Sequence, residues 1–287
     1  MPSPFAGRWD LTQGEGSDSF PSWLELTETA EGWKGRYVGI WGSARPVPHI
    51  TIDGENLEFS LPNQYEGYTV PMVFKGQLAG ETLTGTTNAQ DGSVRPWKGV
   101  RAPEMVRSGE AVEGETINLI GTGLEGWKVR WPAADNNWVE EGGALVNKAT
   151  GTDILTEALF DDFKLVAEYS YPAGSNSGIY LRGRYEFQIL DDFGQEPSLG
   201  SSGAIYGFFV PLVNAVKPFG EVNRVEITLR GRRLTATLNG QLIHDDVEIP
   251  GITGGAADSD EGAPGPILLQ GDHGPVTFHK VELTQLS

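Results

Sequence analysis

The sequence predicts an all-β protein of two domains, the second a jelly-roll sandwich. Three observations carry that expectation. Apolar and polar residues alternate with a period of two over many short runs, the spacing of a half-buried strand. Turns rich in Gly, Asn and Asp separate the runs, and the chain holds 39 Gly and 18 Pro, which suits tight turns and disfavours long helices. Its 287 residues, 38% hydrophobic and 10% aromatic, exceed one small core and suffice for two of ordinary size.

The first domain is expected over residues 1–105. Between residues 5 and 103, strand-like runs at 23–27, 33–40, 49–52, 57–61, 70–78 and 83–87 recur every 8–12 residues or so, as a small antiparallel β-barrel or sandwich requires. Trp9 lies near its start and Trp97 near its end, where the first and last strands of a closed sheet would meet. Residues 106–117 are polar and unpatterned and read as a linker.

The second domain is expected over residues 118–287. Phe163, Leu165, Ala167 and Tyr169 alternate along one strand. Runs 225–229 and 234–238 flank the hairpin connection Arg230-Gly231-Arg232-Arg233. Asn239-Gly240 is a strong hairpin signal, because both turn residues need a positive φ. Runs 267–270 and 276–278 follow, and residues 156–162 suit one helical turn. Residues 254–265, rich in Gly, Ala and Asp, read as a mobile surface loop. Asp258, Asp260 and Glu261 offer oxygens to a calcium ion, but their spacing fits no defined calcium loop, so a solvated acidic loop is the expectation.

A formal charge of −18 and a pI near 4.6 repel phosphate backbones, so nucleic acid is not an expected partner. The acidity suits a neutral ligand, a cation or plain solubility. The absence of Cys removes disulfides, thiolate catalysis and Cys-ligated zinc. No run of about 18 apolar residues exists to span a membrane as a helix. The opening Met1-Pro2-Ser3-Pro4-Phe5 lacks a basic then apolar signal region. The expected location is the cytoplasm, or the periplasm or exterior if a leader has been removed.

Two segments hold the candidate chemistry. In 176–191, Ile179, Leu181, Tyr185, Phe187 and Ile189 occupy odd positions, and Tyr180, Arg182, Arg184, Glu186 and Gln188 even ones. A continuous strand puts the polar set on one face, and a bulge at Gly183 shifts its register, but Glu186 and Gln188 share a face either way. Such a row is either an exposed Arg–Glu ladder or the lining of a concave sugar groove. The turn Gln270-Gly271-Asp272-His273-Gly274-Pro275 presents Asp272 and His273 at a loop tip. Of the other histidines, His244 and His279 read as structural and His49 as a strand-edge residue.

Over residues 118–287 the sequence resembles the 3-keto-disaccharide hydrolase domain family. The likeness lies in an ordered series: Gly151-Thr152-Asp153-Ile154-Leu155, Asn176-Ser177-Gly178-Ile179, Tyr185-Glu186-Phe187-Gln188-Ile189-Leu190-Asp191 and Gly203-Ala204-Ile205-Tyr206. Lys217-Pro218-Phe219-Gly220-Glu221-Val222-Asn223, Leu238-Asn239-Gly240 and Leu269-Gln270-Gly271-Asp272-His273-Gly274 complete it. The series departs where Gly271 sits inside the Gln-Asp-His turn and where Val222 replaces the usual Trp before Asn223. The resemblance implies a concanavalin-like jelly roll acting on glycosides already oxidised to a ketone at C3. It implies Glu186 or His273 as base with the other as acid, and Arg182 and Gln188 on the oxyanion or on hydroxyls. Gln270, Asp191, Tyr206 and Asp272 would bind the sugar. A divalent metal at the enolate oxygen, held by Glu186 and His273, is an open option. The N-terminal domain looks like one fused to some members.

Two other readings compete. Concanavalin-like glucanases carry Glu-x-Asp-x-Glu on one strand, whereas Glu186 is followed by Gln188 and Leu190, which disfavours a retaining glycosidase. A carbohydrate-binding module without catalysis would use Trp127, Trp131 and Trp138 as sugar platforms, although core packing is expected for at least one. A structural cell-surface protein is third, and the polar row speaks against it.

Overall fold

A computed structural model describes residues 3–67, 69–89 and 91–287; Met1 and Pro2, the start of the stretch read for a signal, lie outside the described residues. Among the described residues there are 22 strands, one 3-10 turn and no α-helix, so none is long and apolar enough to cross a membrane. The chain divides into two compact units.

Unit 1 covers residues 1–104 together with 250–262. Its nine strands are β1 (Gly7–Gln13), β2 (Phe20–Thr29), β3 (Gly32–Val38), β4 (Arg45–Pro46), β5 (His49–Asp53), β6 (Asn56–Leu61), β7 (Met72–Ala79), β8 (Thr82–Asn88) and β9 (Val94–Arg101). All pair antiparallel, in the order β4-β3-β2-β1-β9-β8-β7-β6-β5. Strands β4 and β5 sit at opposite ends of that order, yet only Val47 and Pro48 separate them. Three Cα steps reach about 11 Å at most, so the sheet has to curl until its edges meet: a barrel. Phe59 and Phe74 stack at 4.4 Å inside it, and Trp97 meets Phe74 edge-on at 6.1 Å. Gly76 makes room for that indole, since a Cβ there would lie 2.5 Å from the Trp97 ring.

Residues 254–265 correct the expectation of a mobile loop. Gly254, Gly255, Ala256 and Glu261 are buried, and Gly255 N–H donates to Ile40 C=O at 2.8 Å. Side chains this small permit close approach as readily as they permit motion: Gly251 lies against the Trp23 indole and Gly254 against the Gly42 backbone. Composition alone does not distinguish these two uses of glycine.

Unit 2 covers residues 105–249 and 263–287. Its strands are β10 (Glu113–Asn118), β11 (Trp127–Val129), β12 (Trp138–Glu141), β13 (Ala144–Asn147), β14 (Ile154–Thr156), β15 (Asp162–Ser170), β16 (Asn176–Leu181), β17 (Tyr185–Leu190), β18 (Asn223–Arg230), β19 (Arg233–Leu238), β20 (Gln241–Glu248), β21 (Leu268–Leu269) and β22 (Val276–Leu286). Strand β10, all but Asn118, falls within the segment read as a linker. One sheet runs β12-β13-β22-β15-β18-β19-β20 with β10 also on β22, and the other runs β11-β14-β21-β16-β17. Phe163, Leu165, Ala167, Val225, Ile227 and Leu283 of the first share one buried cluster with Ile154, Ile179, Phe187, Ile189 and Leu269 of the second. Two antiparallel sheets face to face over one core make the expected jelly-roll sandwich.

Local turn chemistry follows the sequence at Asn239-Gly240, whose φ values are 52° and 79°. At 182–184 it differs. The segment 176–191 is neither one strand nor a bulged one, but a hairpin turning through Arg182 (φ 52°) and Gly183 (φ 67°). Residues 157–161 form no helix; Phe160 pairs with Gly265 instead.

Candidate active site

The hairpin sets the faces. Strands β16 and β17 pair with Tyr180 opposite Glu186 and Gly178 opposite Gln188, so even-numbered residues stay together although the chain reverses. Ile179, Leu181, Tyr185, Phe187 and Ile189 point into the core. The opposite face carries Tyr180, Glu186 and Gln188, and β21 adds Leu268 beside Tyr180. Gln270 follows, its N–H donating to Gly178 C=O at 3.0 Å. A Cβ on Gly178 would lie 2.8 Å from Glu186 Oε1, so glycine leaves the space this carboxyl occupies. Next along the sheet, Arg130 N–H donates to Asp153 C=O at 2.8 Å.

The turn after β21 is clamped by backbone bonds. Gly271 N–H donates to Asp153 Oδ1 at 2.9 Å, and Gly271 C=O accepts from Gly151 N–H at 2.9 Å and Asn147 Nδ2 at 3.1 Å. Asn147 Nδ2 also donates to Gly274 C=O at 3.0 Å. A Cβ on Gly271 would collide with Thr152 C=O and lie 2.6 Å from the Trp138 indole nitrogen. The clamped turn presents Asp272 and His273, and His273 Nδ1 is bonded to Asp272 Oδ1. The His273 side chain is 46% exposed, whereas Glu186 is 4% exposed.

These groups act on one another. Burial pushes the Glu186 carboxyl up to about 8, against the Tyr180 hydrogen bond and the His273 charge, while Asp272 and Asp153 push it further up. The hydrogen bond that His273 donates to Asp272 raises its pKa; burial opposes this, and the charges of Asp272, Glu186 and Asp153 reinforce it. Burial, then the Glu186 charge, holds the Tyr180 hydroxyl well above its ordinary value. Asp153 is raised by burial and by Asp272, and eased by Gly271 N–H and Arg130. Six ionisable side chains, Arg130 included, therefore form one electrostatic cluster.

Two acceptors complete the face. Gln188 Oε1 and Gln270 Oε1 are buried without a hydrogen-bond partner, while Gln188 Nε2 donates to Asn176 Oδ1 at 3.3 Å. Buried amide oxygens are nearly always satisfied, and a ligand hydroxyl would satisfy these. Tyr206 N–H donates to Glu186 C=O at 3.0 Å, which holds this half-buried residue beside β17.

Other expected residues are placed elsewhere. Arg182 is fully buried, bonded to Asp161 (3.1 Å), Tyr185 OH (3.1 Å) and Gly231 C=O (2.9 Å). It locks the hairpin end, because the turn takes it out of the row that a continuous strand would have made. Asp191 Oδ2 accepts Gly174 N–H at 2.7 Å and caps that turn. Trp127 and Trp138 are core residues; Trp131 is half-buried, its ring centroid 4.6 Å from the Arg130 guanidinium. His244 is buried on Gly203 C=O at 2.6 Å, His279 bonds Ser170 Oγ at 2.9 Å, and His49 is exposed at the start of β5. Among the described residues no group of three or more His, Cys, Asp or Glu side chains converges to hold a metal ion.

Sequence reasoning missed Arg130 and Asp153 as members of the site, whereas Tyr180 stood in the polar row it had singled out. The signal of the missed pair was alternation beside a strand too short to read: Ile154 joins the core cluster, whereas its neighbours Asp153 and Leu155, though buried, do not. Asp153, 2% exposed, bonds both Arg130 Nη1 (3.1 Å) and Gly271 N–H. Asp153→Ala takes the buried carboxylate away from half-buried Arg130 and leaves the buried Gly271 N–H without its acceptor, and should cost about 2–3 kcal/mol. Asp153→Asn keeps an acceptor for Gly271 and should cost less. Urea midpoints of the two variants check this; equal losses would mean the Gly271 bond contributes nothing.

No curated protein matches the chain. Among solved structures, a candidate glycosyl hydrolase from Parabacteroides distasonis is 24% identical, covering 63% of this chain and 93% of that one at a TM-score of 0.49. A LamA variant from Zobellia galactanivorans in complex with laminaritriose and laminaritetraose is 11% identical, covering 60% and 98% at 0.41. A carbohydrate binding module from Bacillus subtilis is 13% identical, covering 55% and 94% at 0.35. The family model of the 3-keto-alpha-glucoside-1,2-lyase-like domain matches residues 115–284. With more than half its length in that match, the chain belongs to the 3-keto-alpha-glucoside-1,2-lyase-like domain family of carbohydrate-active proteins.

Proposed function

We propose that the C-terminal domain cleaves glycosides that already carry a ketone at C3, by elimination across C1–C2 followed by hydration. The observation that carries this reading is a buried carboxyl of raised pKa and a carboxylate-held imidazole on one sheet face, beside unpartnered amide acceptors. A C3 ketone acidifies the C2 proton. Glu186, far more basic than an ordinary carboxylate, removes it, and the C–H electrons form an enolate. Those electrons then make the C1–C2 double bond as the C1–O bond breaks, and His273 protonates the departing oxygen. Water adding at C1 with a proton returned to C2 gives net hydrolysis.

The remaining side chains support those steps. Tyr180 bonds the Glu186 carboxylate and aims it. Asp272 orients His273 and favours the imidazolium that serves as acid. Arg130, close enough to act on Tyr180, offsets the enolate charge. Gln188, Gln270 and Tyr206 take sugar hydroxyls. A retaining glycosidase would need a second free carboxylate roughly 5 Å from the first. Asp153 is the buried carboxylate beside Glu186, and it is committed to Arg130 and Gly271.

Assay of a 3-keto-glucoside beside the parent glucoside tests the reading. Aglycone should be released from the ketone alone; release from both at equal rates, or sugar binding with no release from either, would overturn it. The kcat/KM profile should be bell-shaped. It rises as Glu186 loses its proton near pH 8, and falls as His273 loses the proton it needs, so the optimum lies on the alkaline side of neutrality. Both limbs belong to the coupled pair.

A further inference from the structure

The N-terminal barrel holds a cavity that the proposed reaction does not use. Phe59, Phe74 and Trp97 plug its middle, and Gln13, opposite Trp97 in register, lies inward beside them. Toward that end the lumen stays unfilled over ≈ 320 Å³, walled by Phe20, Tyr37, Trp41, Glu66 and Arg95 as well as Gln13. That volume is at the low end of small-ligand pockets, about 300–1,000 Å³, and suits one ring rather than a chain.

The lining mixes apolar side chains, Ile40 and Met72 among them, with polar groups held in place by hydrogen bonds. Gln13, 2% exposed, donates through Nε2 to Tyr37 OH at 2.6 Å and Ser22 Oγ at 2.9 Å. Glu66, with 5% of its side chain exposed, is held by Arg45 Nη2 at 2.5 Å and accepts Gln64 N–H at 2.9 Å. Arg95 sits 5.1 Å from the Phe20 ring centroid, and its Nε is buried without a hydrogen-bond partner. A core serving stability alone would fill this end with aliphatic side chains and leave no unmet donor.

We propose that this barrel mouth binds one neutral hexose-sized sugar ring. Glu66 is paired with Arg45, and Asp18 and Arg95 on the same wall carry opposite charges, so the lining has no net formal charge and does not select an ion. The Trp41 ring suits the C–H face of a sugar, and the Gln13 amide, Tyr37 hydroxyl, Glu66 carboxylate and Arg95 guanidinium suit its hydroxyls. A buried amide and phenol at the floor do not suit an alkyl chain. The proposal is independent of the reaction assigned to the other domain.

Nuclear magnetic resonance of the nitrogen-labelled full chain tests it, with D-glucose and D-galactose titrated to about 50 mM. The Trp41 indole signal, identified by its loss in Trp41→Phe, should shift saturably with at least one sugar. Arg95→Gln should weaken that binding about tenfold with an unchanged circular dichroism spectrum. No saturable Trp41 shift, a shift equally strong in Arg95→Gln, or a shift with decanoate but neither sugar would overturn the proposal. Because Trp41 reports on the barrel alone, an inactive C-terminal domain would leave the result readable.

Discussion

Glu186→Gln should lower kcat/KM on a 3-keto-glucoside by about a thousandfold, the magnitude of a lost general base. The substitution keeps the side-chain shape beside Gly178, where no added atom is tolerated, but an amide does not accept a carbon-bound proton. The same variant should gain stability. Wild-type Glu186 is raised from 4.5 to about 8 in the folded state, so the unfolded chain ionises first. That penalty on folding begins as pH passes 4.5, grows until about pH 8 and is then constant. Carrying no ionisable group there, the variant should match the wild-type melting midpoint near pH 4 and exceed it from neutral pH upward. A rate within tenfold of wild type would remove Glu186 as the base; an unchanged stability difference across pH would show that its carboxyl is not held neutral by burial. Stability gained where activity is lost is the usual mark of a strained functional group.

The sheet face was legible where a long alternating strand carried it. Parity survived an error in topology: a turn of three residues between Leu181 and Tyr185 pairs even with even, so Glu186 and Gln188 stayed on the outer face though the chain reverses. Arg182 shared their parity but sits in the turn, where strand periodicity has no meaning, and its charge goes to Asp161. Arg130 and Asp153 were not legible because they flank β11 and β14, which have three residues each, too few for a period. Their pairing is set by the sandwich, not by neighbours in sequence. The Gly and Ala of residues 254–256 failed for another reason, since a side chain too small to pack by itself carries no sign of whether another segment will close over it.

His273→Ala should lose about a hundredfold or more on a 3-keto-glucoside with an alkyl leaving group, and less than tenfold on its nitrophenyl counterpart. An alkoxide leaves only with a proton, whereas nitrophenolate departs without one, so the better leaving group bypasses the acid. Glu186→Gln should show no such rescue, because removal of the C2 proton precedes departure of either group. This contrast does what a pH profile does not: a base at Glu186 with an acid at His273, and the reverse, give the same bell. Geometry favours the first assignment. The carboxyl is buried on a strand, fixed by Tyr180 and raised to about 8, while the imidazole is half-exposed on a turn, where a departing aglycone reaches solvent. Equal losses on both substrates in His273→Ala would deny it the acid role, and a nitrophenyl rescue of Glu186→Gln would exchange the two.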